Sequence, residues 1–154
     1  MHHASATRFT LTLSILLIVF CLAIAPAQAQ NLFVANQAGN TIREFSASGV
    51  DLGDFATTGL NGPTGLAFDK KGNLYVSNIA GNTVRKFSPT GEDLGDFATT
   101  GLSAPRGMAF DKRGNLYVAN TMGLGEIRKF SPAGEDLGNF ASTGLNVPRG
   151  IAFD

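Results

Sequence analysis

From residue 31 onward the chain is built of short apolar blocks, each closed by Gly, Asn, Asp or Pro. These blocks are too short for helices, whose apolar positions recur with a 3.6-residue period over a longer run, and glycine at this density opposes helix further. They predict short strands joined by tight turns. Within 65–106 the pattern resolves into four strands: "GLAFD" (65–69), "NLYVSN" (73–78), "TVRKFS" (83–88) and "LGDFATT" (94–100). The turns between them are "DKKGN", "IAGN" and "PTGED", in which Gly72 is free to take positive φ and Pro89 and Gly91 suit a turn. "GLSAPR" (101–106) then crosses to the next unit. "LAF" and "LYV" are consecutive apolar triplets, as expected of strands covered on both faces.

The pattern repeats. "NLFVAN" begins at Asn31, "NLYVSN" at Asn73 and "NLYVAN" at Asn115, in two successive intervals of 42 residues. Residues 31–72 align on 73–114 without gaps and with 29 identities, which suggests recent duplication. One extra residue enters the third copy, where "NTMGLGEIRKF" replaces "NIAGNTVRKF". Four strands in a period of about 40–45 residues predict an all-β fold, a β-propeller of four-stranded antiparallel blades. The small residues Gly65 and Ala67 fall on the first strand of the unit, which is expected innermost at the crowded axis.

These units, "P-x-G-[LMI]-A-F-D-x-x-G-N-L-Y-V-[SA]-N" followed by "[VI]-R-K-F-S", resemble the NHL-repeat family of β-propellers. More distantly they resemble the streptogramin-lyase and gluconolactonase-like propellers. The resemblance covers 30–154, in copies at about 31–72, 73–114 and 115–154. It implies a fold and leaves function open, since this architecture hosts enzymes, binders and scaffolds.

The strand tally predicts twelve strands, or three blades, because 30–154 opens on a second strand and closes on a first strand, "GIAFD" (150–154). The NHL resemblance implies about six blades, within the usual propeller range. Two readings follow. The chain is part of a longer propeller, or two copies close a six-blade ring as a homodimer, each lending "GIAFD" to its partner's open sheet.

The first 29 residues differ in kind. Arg8 is the sole charged residue before residue 43, and "LTLSILLIVFCLAI" (11–24) is uninterruptedly uncharged. Pro26 and Ala27-Gln28-Ala29 follow, which predicts a secretory signal peptide cleaved after Ala29. The apolar run falls short of the roughly 20 residues of a membrane span. The expected location is secreted or periplasmic, with no membrane association after cleavage. Cys21, His2 and His3 all lie in the leader, so the mature chain would hold neither cysteine nor histidine. Formal charge is zero for the whole chain and charged residues make up 16%, which argues against nucleic acid as a partner.

Candidate chemistry is correspondingly narrow. Without His or Cys, nucleophiles of the Ser-His and Cys-His kinds are impossible. The streptogramin-lyase resemblance implies a catalytic histidine that the mature chain lacks. The gluconolactonase resemblance implies a metal held by Glu, Asp and Asn, for which no inner Glu is evident. No cofactor, metal or catalytic residue is assigned. Asp69, Asp111 and Asp154 begin turns, where aspartate caps its own backbone. Asp51, Asp54, Asp93 and Asp96, with Glu92 and Glu135, are expected on a solvated outer edge, and Arg43, Arg85 and Arg128 with Lys86 and Lys129 are read as outward charge that blocks edge pairing.

One face carries the candidate binding residues. The loops entering the first strand and leaving the second would ring the channel mouth with Asn36, Asn78, Asn120, Thr64, Arg106 and Arg149. Asparagine can bind sugar hydroxyls, and arginine can hold a carboxylate or phosphate. The expected function is a secreted binding or scaffold module acting through this loop face on a protein or carbohydrate ligand. The alternative is an extracytoplasmic lyase or lactonase.

Overall fold

A computed structural model describes residues 30–123 and 125–154. The expected signal peptide lies outside the described residues. Among them eleven strands form three antiparallel sheets and no helix occurs. The first sheet holds β1 (Leu32–Asn36), β2 (Thr41–Phe45) and β3 (Asp51–Ala56). The second holds β4 (Pro63–Phe68), β5 (Leu74–Asn78), β6 (Thr83–Phe87) and β7 (Asp93–Ala98). The third holds β8 (Pro105–Phe110), β9 (Leu116–Asn120), β10 (Glu126–Phe130) and β11 (Asp136–Ala141). In each sheet strands consecutive in sequence are neighbours, so each is a meander and makes one blade.

The turns close for local reasons. Asp69 Oδ1 accepts hydrogen bonds from the backbone N–H of Lys71 and Asn73, at 2.8 and 2.9 Å, and Oδ2 accepts from Asn73 Nδ2 at 2.8 Å. Asp111 repeats the arrangement with Arg113 and Asn115. Gly72 and Gly114 complete these turns at φ of 82° and 86°, where a side chain would be strained.

The core lies between blades. Leu74, Val76 and Phe87 of the second blade meet Ile42 and Ala56 of the first. From the opposite face of the second blade, Tyr75, Val84 and Ala98 meet Met108, Leu116, Val118 and Phe130 of the third. Each residue of the "LYV" triplet is therefore buried, on alternating faces. Phe33 packs edge-on against Phe55 and Phe68, Tyr75 against Phe97 and Phe110, and Tyr117 against Phe140 and Phe153.

The first strands of successive blades crowd together at the axis. A Cβ on Gly65 of β4 would run into the carbonyl oxygen of Arg106 of β8, and one on Gly107 would run into that of Arg149. The twelfth strand requires correction. Residues 150–154 belong to no sheet, because β4 and β8 gain their hydrogen bonds from the strands that follow them, β5 and β9, and 150–154 has no such neighbour within the chain. The segment nevertheless occupies the place of an inner strand: Arg149 and Gly150 lie on Gly107, and Phe153 meets Tyr117 edge-on at 4.9 Å, as Phe110 meets Tyr75.

Candidate functional site at the two blade ends

Antiparallel pairing sends the loops to two ends. The loop end gathers the crossings into β4 and β8 and the turns after β1, β5 and β9, and holds the six residues singled out above. Asn78 and Asn120 sit at the ends of β5 and β9 and are almost completely buried. Asn78 Oδ1 accepts from the N–H of Asn61 at 3.0 Å, while Nδ2 donates to the carbonyl of Gly59 and to Thr83 Oγ1. Asn120 does the same with Ser103, Gly101 and Glu126. Both ends of each amide are consumed in pinning the crossing loop to the blade. Asn36 is exposed and donates to Thr41 Oγ1 at 3.3 Å. Thr64 is bound to Ser77 and to the carbonyl of Pro105. Arg149 is exposed, and Arg106 is half-buried with its Nε enclosed and without a hydrogen-bond partner among the described residues.

Two asparagines not singled out in the sequence do similar work. Asn40 and Asn82 adopt left-handed φ of 51° and accept from the N–H of Gly62 and Ala104, both at 2.7 Å. They fasten each blade's turn to the crossing that leads into the next. A shallow recess of about 410 Å³ lies beside the first of these links, between Gln37, Asn61 and Ile79.

The third-strand arginines also require correction: they are not free outward charge. Arg85 Nε and Nη2 grip both oxygens of Asp93 at 2.8 and 2.7 Å, and Nη1 reaches Asp96 at 3.0 Å. Arg128 grips Asp136 at 2.8 and 2.6 Å. Arg43 binds Asp54 at 2.8 Å and also Asp51. The hydrogen bonds from Arg85 and Arg128 hold the carboxyls of Asp93 and Asp136 below the usual carboxylate range. These forks tie the third strand to the fourth within each blade, so the aspartates expected in solvent carry structure.

The opposite, turn end is different in character. A cleft of about 600 Å³ opens between the second and third blades, with Tyr75, Phe68, Phe110 and Phe153 among its lining. Lys70, Lys71, Lys86, Lys112 and Arg113 stand around it, and Lys129 lines a smaller neighbouring cleft of about 380 Å³. Every lysine of the chain is thus at this end. Unlike the three arginines above, none of these six cations forms an ion pair among the described residues. Lys86 and Lys129 lie over the rings of Tyr75 and Tyr117, each 5.3 Å from the centroid. Lys70 donates to the carbonyl of Lys112 at 2.8 Å, bridging the two turns.

Three carboxylates line the cleft: Asp69, Asp111 and Asp154. Two are spoken for. Burial pushes the Asp69 carboxyl upward, but the hydrogen bonds from Asn73 and Lys71 outweigh it and hold the group low. The Asn115 side chain, foremost, holds Asp111 low as well. Burial raises the Tyr75 phenol, which stays protonated. The result is a basic rim over an aromatic floor. The cations come from separate segments, and the signal that announces them in the sequence is the repeat itself, which places Lys70 and Lys112, and Lys86 and Lys129, at matched positions.

No protein-family model and no curated protein matches the chain. Among solved structures, a chain of the nidogen/laminin complex superposes with a TM-score of 0.73 at 22% identity, over 82% of this chain and 49% of that one. A gluconolactonase from Xanthomonas campestris aligns with a TM-score of 0.59 at 25% identity, over 74% and 38%. Virginiamycin B lyase from Staphylococcus aureus aligns with a TM-score of 0.64 at 17% identity, over 78% and 41%. The chain spans half or less of the length of these structures. Its fold is that of a β-propeller.

Proposed function

We propose that the protein is an exported binding module that takes an acidic oligosaccharide at its turn end. One observation carries the reading: every lysine of the chain lines one of two adjoining aromatic-lined clefts, with no ion pair among the described residues. Flat rings offer apolar contact to the face of a sugar, and the ammonium groups above them meet its acid groups. Export rests on the leader-like residues 1–29. A second anion position at the loop end is favoured by Arg106, whose buried Nε has no hydrogen-bond partner among the described residues and whose repeat counterpart is Arg149.

The test is a calorimetric titration with a sulfated oligosaccharide and with its unsulfated counterpart. Saturable binding of the sulfated form is expected, weakening as salt rises. Reversing charge with Lys70→Glu and Lys112→Glu, both on exposed turns, is expected to weaken it at least about tenfold, the effect of roughly 1.4 kcal/mol. Equal binding of the two saccharides, or an unchanged affinity in the double variant, would refute the reading.

A further inference from the structure

Two sheet faces of the molecule lie open, and they are the two halves of an interface the chain already makes twice. Leu74 and Val76 of the second blade, and Leu116 and Val118 of the third, are fully buried against the preceding blade. Their counterparts on the first blade, Leu32 and Val34, are 60% and 39% exposed. At the other extreme, Phe97 of the second blade and Phe110 of the third pack on Tyr75 inside that junction, whereas their counterparts Phe140 and Phe153 are 59% and 47% exposed.

The backbone repeats the mismatch. Gly91 and Gly134 each sit against a carbonyl of the preceding blade, that of Phe55 or Phe97, while the matching Gly49 has open space. Gly65 and Gly107 each meet the inner strand of the following blade, while the matching Gly150 has open space. Finally, β1 has an unpaired edge where β5 and β9 each pair with an inner strand, and 150–154 has the place of an inner strand without a sheet.

We propose that a second copy of this chain covers both faces, two copies closing one ring. The third blade of each copy packs on the first blade of the other, in the manner of the two internal blade junctions. The occupant follows from self-complementarity: each open face is the repeat counterpart of a surface that the other already fits inside the molecule.

The pairing is specified residue by residue. Within the blades, Leu66 and Phe68 pair with Val76 and Leu74, and Met108 and Phe110 pair with Val118 and Leu116. Carried to the junction, Ile151 and Phe153 of one copy pair with Val34 and Leu32 of the second copy. Gly150 then faces the carbonyl of Thr64 of that copy, as Gly65 faces the carbonyl of Arg106.

The test uses the protein expressed from its full sequence and purified. Light scattering on a sizing column is expected to give the mass of two copies. Gly150→Leu is expected to halve that mass with an unchanged circular dichroism spectrum, because its side chain meets nothing within one copy. In a Cys21→Ser background, Leu32→Cys with Phe153→Cys is expected to yield a covalent two-copy species on oxidation, and either substitution alone is not. A stable single-copy mass at tens of micromolar would overturn the proposal and leave the faces to other residues of a longer protein. Masses that grow without limit with concentration would overturn it as well, because a head-to-tail contact that fails to close makes filaments.

Discussion

Asparagine is the residue on which this architecture turns. At the ends of β5 and β9 it closes three hydrogen bonds with no water at hand, so losing it leaves a buried N–H and a buried carbonyl unanswered. Asn120→Ala is expected to cost about 2 kcal/mol in chemical denaturation. Asn36→Ala, at a counterpart exposed within one copy, is expected to leave the midpoint nearly unchanged in a Gly150→Leu background that holds the copies apart. Position alone did not separate the two. Whether an Asn amide faces solvent or a loop depends on a crossing segment 17 residues upstream, which a strand-end motif does not reveal. The aspartates follow a related logic. Asp93 and Asp136, with Asp69 and Asp111, have folded values below the ordinary 3.8. A carboxyl held low stabilises the fold above its ordinary value and loses that contribution as pH falls through the lowered one. The thermal midpoint is therefore expected to stay level from about pH 7 to about pH 5 and to drop between about pH 4 and about pH 2. A midpoint indifferent to acid would contradict the forks and turn locks described above.

The strand is the scale at which the sequence was most legible. Turn residues at fixed offsets and apolar triplets between them located the strands of the second unit to within two residues. The repeat then carried that reading to the other two blades. What it could not show was which strand finds a partner: "GIAFD" has the composition of β4 and β8 yet joins no sheet, because a strand is defined by its neighbour. The same contrast separates identical residues. Leu74 lies in a blade junction and Leu32 on an open face. Leu74→Ala is expected to cost about 3 kcal/mol, as large-to-small changes in a packed core do. Leu32→Ala is expected to cost little in a Gly150→Leu background, which holds the copies apart and leaves Leu32 on an open face. Equal losses at both positions, read by denaturant titration, would show that the junction is not where the core energy lies.

At the scale of the whole molecule the fold converts a scattered set of charges into an organised one. The arginines of the third strands are spent within their blades, and the lysines are left at one end. No local motif announces this, because Lys70, Lys86, Lys112 and Lys129 sit in different turns and strands that meet only once the blades stack. The loop end, which the motif residues favoured, is largely occupied with its own hydrogen bonds, while the turn end keeps both its cations and its cleft available. The central claim is that these lysines act together as one anion-binding rim. It is tested most directly by reductive methylation of the lysines with a carbon-13 label, which preserves their charge, followed by nuclear magnetic resonance during addition of a sulfated oligosaccharide. The five methylated lysine resonances are expected to shift along one common saturation curve. Resonances that stay fixed, or that drift independently without saturating, would contradict it.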